Sequence, residues 1–267
     1  MRFYKRDYIK LIKNQKTKEV ATIDIAKGCK GCELKHAPCY AFKMARMSGL
    51  DFFTPVPQKL KISLLEKQLQ KYNLDWIRIG CISDPSLNWE ITSQICRLAS
   101  EKNITPVIIS KIYSALSQET LESLVRDKAQ LQVSTSGLMS RRQKDQRLST
   151  IINYKKLGGK IVNRINSAVF KENSKAYKLQ ENLILFSQQE EIPILETPLR
   201  TFKTSPLYSL LDSRRYKKHL SPLSGKYDSQ SSAGLIIPNT YACYSTCSPT
   251  PIGNYDPGCS HQCCTKL

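Results

Sequence analysis

The sequence predicts an α/β fold, a sheet of mainly parallel strands with crossover helices, and three observations carry that expectation. Strand-like and helix-like segments alternate about six times between residues 20 and 200. The strand-like segments are short, apolar and β-branched, whereas the helix-like ones place apolar residues at helical spacing. At 267 residues and 40% hydrophobic content the chain is long enough to bury one sizeable core. Six such units suggest a partial (β/α)6 barrel; a doubly wound open sheet has the same local signature. In either architecture chemistry belongs at the C-terminal ends of the strands.

After a basic opening, residues 20–25 (VATIDI) alternate and are β-branched, the pattern of a strand. Residues 29–39 form a loop punctuated by Gly28, Gly31 and Pro38, and residues 40–47 look helical. An amphipathic helix is expected over 60–72, a strand over 76–79 that stops at Gly80, a helix over 89–100, and a buried-type strand over 105–110. A helix over 117–128 starts near Ser117 and Glu119, followed by a strand over 131–134. A polar helix over 141–157 is stopped by Gly158-Gly159. A strand over 160–165, a helix over 174–189 and a strand over 192–196 complete the alternation.

Beyond residue 200 the pattern changes. Residues 214–219 are a basic run, RRYKKH; residues 221–232 are rich in Ser, Pro and Gly and read as a loop; residues 235–237 are a short apolar patch. This divides the chain into a barrel-like region, 1–205, and a basic, Cys-rich C-terminal extension, 206–267.

No run of about 18 apolar residues exists, so no membrane-spanning segment and no membrane partner is expected. Residues 1–19 are charged and lack the apolar stretch of a secretory signal, which points to a cytoplasmic protein. In a reducing compartment, clustered cysteines bind metal or do chemistry more often than they form disulfides. Eight of the ten cysteines fall in two clusters, one near each end, with Cys81 and Cys96 alone between them. The formal charge of +19 fits an anionic partner, most simply nucleic acid, or a soluble basic surface.

The N-terminal cluster, GCKGCELKHAPCYAFKM, places Cys29, Cys32 and Cys39 in a Cys-x2-Cys-x6-Cys loop directly after the first expected strand. Three thiolates in one loop suit zinc or an iron–sulfur cluster rather than a hard cation. Structural zinc wants four protein ligands, and His36 is available as a fourth. A [4Fe–4S] cluster on three cysteines keeps one iron open for a small ligand.

This loop resembles that of the radical SAM (S-adenosylmethionine) superfamily, in which a three-cysteine loop follows the first strand of a partial (β/α)6 barrel. The usual spacing there is Cys-x3-Cys-x2-Cys with an aromatic residue beside the last cysteine, and Cys39-Tyr40 is similar to its end. Aligned from Cys39, the pattern puts His36 in the middle place; either His36 or Cys29 completes the set, and thiolate is the softer ligand. Gly80, Ser83, Asp84 and Pro85 approximate the Gly-Gly-Glu-Pro-like segment that holds the amino group of SAM. The resemblance also implies SAM contacts at Ser134 and Ser136, ribose or carboxylate contacts at Arg164 and Asn166, and a strand-end contact at Thr197, beside Glu196. Residue by residue, a bland reading stands beside each: a turn or cap for Asp84, ordinary strand-end residues for Ser134 and Ser136, a surface charge for Arg164, and small core residues for Cys81 and Cys96.

The tail, ACYSTCSPTPIGNYDPGCSHQCCTKL, gathers Cys243, Cys247, Cys259, Cys263 and Cys264 around His261. A zinc ion or one cluster needs at most four of them. The resemblance implies a second iron–sulfur cluster here; a zinc-stapled tail is the alternative.

The resemblance implies a reaction in which an electron from a flavodoxin or ferredoxin cleaves SAM and the 5′-deoxyadenosyl radical modifies a substrate. Tyr40, Cys81 and Tyr113 are candidates to lie near the site. The charge and the 214–219 run favour RNA or DNA as substrate, with a peptide as the second choice. From a different class, a zinc-stabilised nucleic-acid-binding protein without catalysis fits the same composition.

Overall fold

The structure, a computed structural model, describes residues 7–14, 17–31, 42, 49, 51–201, 206–212, 216–219, 229–232 and 241–242. It opens on an antiparallel pair, β1 (Ile9–Asn14) and β2 (Thr17–Ile23), followed by the short strands β3 (Ala26–Lys27) and β4 (Val56–Pro57), which pair with each other. Then come α1 (Ile62–Lys71), β5 (Trp76–Ile79), α2 (Trp89–Ser100), β6 (Thr105–Ser110), α3 (Gln118–Arg126), β7 (Gln130–Ser136), α4 (Arg141–Lys156), β8 (Lys160–Ser167), α5 (Lys175–Gln189) and β9 (Ile194–Pro198). The remainder adds β10 (Arg200–Thr201), a 3-10 turn at Pro206–Leu210, β11 (Tyr216–His219), β12 (Ser229–Ser232) and β13 (Tyr241–Ala242).

One sheet of eight strands in the order β1-β2-β5-β6-β7-β8-β9-β13 organises the molecule. β1 is antiparallel at one edge, and β2, β5 to β9 and β13 run parallel. From β2 to β9 the parallel strands follow chain order with no reversal, so the topological switch of a doubly wound sheet is absent.

Register explains the two faces. Ile23, Ile79, Ile108, Leu131 and Ile161 are successive partners across five strands, all buried on one face. The apolar stripes of α1 to α4 pack on that row through Leu65, Leu69, Ile95, Leu121, Leu124, Ile151 and Tyr154. α5 joins them through Leu183, which packs with Ile165 and Ile194. Each such side chain stabilises the fold by about 1.5–3 kcal/mol through burial. The opposite face of the same strands carries Thr22, Gln132, Ser134, Ser136 and Arg164, which are polar and nevertheless buried.

Two expectations need correcting or placing. Of the basic run, residues 216–219 are strand β11, paired antiparallel with β12 in a small sheet with β10. Pairing with Ser229–Ser232 gives this backbone hydrogen-bond partners. The helix expected over 40–47 and the apolar patch at 235–237 lie outside the described residues, apart from Phe42, which is helical. The extension is tied to the region before it: β12 pairs with β10, and β13 pairs with β9 in the main sheet. Among the described residues no helix is long and apolar enough to cross a membrane.

Candidate functional site

The C-terminal ends of β2, β5 and β6 are joined into one rigid ledge by two buried carboxylates. Asp24, just past β2, accepts through Oδ1 from the backbone N–H groups of Cys81 (2.8 Å), Ile82 (2.7 Å) and Ser83 (3.0 Å). Its other oxygen faces Lys10 Nζ at 3.9 Å. The Ser83 hydroxyl in turn accepts from the N–H groups of Ile25 (3.1 Å) and Ala26 (3.2 Å). These contacts fix the turn that follows β5 against the end of β2.

Asp84 makes the next junction. Its Oδ1 accepts from Ser86 N–H (3.0 Å), Ser86 Oγ (2.7 Å) and Ser110 Oγ (2.7 Å), and its Oδ2 from Lys111 N–H (2.8 Å). It also caps the 3-10 turn at Pro85–Leu87, as the turn reading of an Asp before Pro expects. Both oxygens therefore serve the protein. The loop after β6 is held further by Arg147, a buried α4 side chain whose Nε donates to Lys111 O at 2.7 Å. Between these anchors Ile112 adopts φ +51°, a conformation that a β-branched residue takes only under constraint.

Two cysteines sit on this ledge. Gly28 and Gly80 both have φ +91°, and each turns the chain just before a cysteine. The N–H of Cys29 donates to Phe52 O at 2.6 Å. Cys29 and Cys81 share a small buried cluster with Phe52 and Ile82, against which Phe42 and Tyr113 pack. The rings of Phe42, Phe52 and Phe53 meet with centroids 5.4–5.6 Å apart and wall off one side. Behind them Asp51 heads the 51–54 turn; hydrogen bonds from Thr54 and the Phe53 N–H hold its carboxyl below the usual range. Cys96 is elsewhere, fully buried in the main core on α2, where burial and the charge of Asp127 push its thiol up and keep it protonated.

The expected SAM-contact residues on the later strands fall together on the polar face. Ser134 is the register partner of Arg164, and Ser136, Asn166 and Thr197 form the next row. Arg164 Nη1 donates to Gln132 Oε1 at 3.2 Å. Buried polar atoms without a hydrogen-bond partner occur on the same face: Thr22 Oγ1, Gln132 Nε2 and Thr197 Oγ1. Glu196, by contrast, lies in register with Ile165 and accepts from Ser167 Oγ at 2.6 Å.

Cys32, Cys39, His36 and Tyr40 lie outside the described residues, as do Cys243, Cys247, Cys259, Cys263, Cys264 and His261. Among the described residues no three His, Cys, Asp or Glu side chains form a group able to hold a metal ion. β13 runs parallel to β9 and so ends on the same side of the sheet as the ledge; Cys243 directly follows its last residue, Ala242.

Sequence reasoning missed Asp24, Thr22, Gln132 and Ser110. Polar residues inside strand patterns were the available signal, because a parallel sheet buried on both faces is expected to be apolar throughout. No known protein family and no curated protein matches the chain.

Proposed function

We propose that this protein is a radical SAM enzyme with a partial (β/α)6 barrel, holding a [4Fe–4S] cluster on Cys29, Cys32 and Cys39 and modifying a nucleic-acid substrate. The observation that carries the reading is the buried polar face of the sheet. Five helices pack on one side of strands that follow chain order, and the residues of the other side are polar yet sheltered. Curling of the sheet around that face accounts for both facts and makes it a barrel interior.

The donor set fits a soft metal centre at the mouth of such a barrel. Cys29 follows the short strand β3 and Gly28, whose φ of +91° suits glycine, and thiolates favour iron–sulfur clusters or zinc. When bound, the cluster would supply the electron that cleaves the sulfonium bond of SAM. The chain's own part is binding and shelter. Arg164 offers its guanidinium to a carboxylate, and Ser134, Asn166 and Thr197 offer hydroxyl and amide groups to a ribose. The unpaired Thr22, Gln132 and Thr197 atoms gain partners from a polar ligand, which offsets the cost of burying them. Asp24 and Asp84 act by position: Asp24 holds the backbone of Cys81 to Ser83 and Asp84 ties the 3-10 turn that follows to the loop after β6, leaving carbonyl groups of the turn after β5 to meet the SAM amino group. A small acidic flavodoxin or ferredoxin suits the electron donor of a chain with formal charge +19, and that charge supports an RNA or DNA substrate. The C-terminal cysteines are proposed to hold a second iron–sulfur cluster.

Anaerobic purification followed by iron, sulfide and zinc analysis tests the reading. The expected protein is brown and, with dithionite and SAM, produces 5′-deoxyadenosine. Cys39→Ala abolishes that product, whereas Cys259→Ala leaves uncoupled SAM cleavage. A colourless protein with stoichiometric zinc and no SAM binding overturns the proposal in favour of a zinc-stabilised nucleic-acid binder.

A further inference from the structure

A cavity of about 360 Å³ opens where the loop after β6 meets the start of α4. β6 and β7 are adjacent parallel strands, so the cavity lies at the C-terminal end of the sheet, on the side of the ledge. Tyr113, Ser140, Arg142, Gln143, Gln146 and Arg147 line it, and no acidic residue does. The wall on the β6 side is fixed: Tyr113 N–H donates to Ser86 Oγ at 2.8 Å, and Arg147 Nε donates to Lys111 O at 2.7 Å. Tyr113 also packs against the Cys29–Cys81 cluster, so the cavity and the candidate site share a residue. The charges here run against local rules. α4 starts with Arg141-Arg142 and has no acidic residue in its first turn, although a helix start favours negative charge. Asp145 answers Arg141 (3.9 Å) and Lys144 (3.6 Å), whereas Arg142 has no ion pair among the described residues. Donors are in excess among the amides too. Gln143 spends its carbonyl oxygen on Ser140 N–H (2.9 Å), which leaves its NH2 group for another acceptor. The side-chain amide of Gln146 has no hydrogen bond among the described residues.

We propose that this cavity is a nucleotide subsite, which receives one unstacked nucleotide of a single-stranded RNA or DNA substrate; the inference rests on the nucleic-acid part of the reading above. The ligand chemistry follows from the lining. Arg142 suits a phosphate, which the start of α4 favours as well. The amides of Gln143 and Gln146 suit the edge of a base, and an aromatic residue suits its face. An inorganic anion would leave the amides and the tyrosine without a role. The volume is near the lower bound of about 300 Å³ for small-ligand sites, enough for one nucleotide and too little for a duplex. The nucleotide must therefore leave its stack, as chemistry on a base requires. Tyr113 then places the bound nucleotide beside the cysteine cluster.

The test is fluorescence anisotropy with labelled single-stranded RNA and DNA, on wild type, Arg142→Ala, Gln146→Ala and the control Arg141→Ala. Arg141 carries the same charge on the same helical turn but does not line the cavity. Arg142→Ala is expected to bind about tenfold more weakly, with a salt slope smaller by about one. Gln146→Ala is expected to bind several-fold more weakly at an unchanged slope, with an altered preference among homopolymers. Equal losses in Arg141→Ala and Arg142→Ala assign the binding to overall charge and overturn the proposal, as does absence of binding to either strand. Tighter binding of duplex than of single strand overturns it, and so does displacement of the oligonucleotide by SAM, which would make the cavity a cofactor site. Thiouridine-labelled RNA covers poorly folding variants: on irradiation it should crosslink to Tyr113 or to residues 140–147 of the wild type, and crosslinks confined elsewhere overturn the proposal. Arg142-dependent binding by a protein that neither holds iron nor binds SAM keeps the subsite and sinks the radical SAM reading. A brown protein that cleaves SAM, yet binds RNA equally well as Arg142→Ala, keeps that reading and sinks the subsite.

Discussion

Gly80 is the residue at which backbone conformation and site geometry meet. Its φ of +91°, and the 2.6 Å that would separate an added Cβ from Pro85 Cδ, predict that Gly80→Ala is destabilising by about 2 kcal/mol or more. Gly158, at φ +81° with nothing within 4 Å, bears only the conformational term, so Gly158→Ala should lose about 1 kcal/mol. Urea unfolding of both variants checks the contrast, and equal losses would place the cost in φ alone. Asp127 offers a pH-dependent case. Burial raises its carboxyl, chiefly opposed by Arg126 and Arg97, and its Oδ2 has no hydrogen-bond partner. A carboxyl whose folded pKa lies above its unfolded value binds more proton when folded, so stability falls as pH rises through that interval. Asp127→Asn should therefore gain on wild type as pH climbs above the ordinary value of 3.8, with the difference fading below it. Denaturant midpoints measured across the carboxylate range provide the check. Under the proposed radical SAM reading, Arg164→Ala is expected to weaken SAM binding about tenfold or more, the loss of one charged hydrogen bond, without lowering iron content. Isothermal titration and metal analysis separate those two effects.

At the scale of elements, helix starts were the most readable feature. Asn88, Ser117, Ser140 and Ser174 each cap a helix with the side-chain oxygen, and Ser140 with Gln143 completes a reciprocal box. Ser140→Ala should lose about 1 kcal/mol, seen as a lower thermal midpoint. Strands β5 and β6 match the expected bounds because their apolar runs end at glycine and serine. β1 escaped notice for a physical reason. It is an edge strand with lysines among its apolar residues, and the sequence between it and β2, Gln15-Lys16, is not the Asn-Gly or Asp-Gly pair that signals a hairpin. The positions on the polar face were half readable. Ser134, Ser136, Arg164, Asn166 and Thr197 announced themselves as polar strand ends, whereas Thr22 and Gln132 sit mid-strand, where alternation suggests only a solvated face. Cys81 was visible as a residue but not as a neighbour of Cys29, because the pairing of β2 with β5 crosses the whole intervening loop.

For the molecule as a whole, the charge of +19 predicts binding to RNA or DNA that weakens steeply with salt, the slope counting neutralised phosphates. Filter binding between low and physiological salt measures it, and absence of binding at low salt would remove nucleic acid as the substrate class. The last parallel strand has a different bearing. β13 lies far along the chain from β9 yet pairs beside it in the same sheet. During synthesis the β9 backbone must wait as an open edge until residues 241–242 leave the ribosome. Such late, long-range pairing slows folding and exposes a template for intermolecular strands in the interval. The nascent chain is therefore vulnerable to aggregation between the emergence of β9 and that of β13, and a chain truncated before residue 241 would keep that vulnerability permanently.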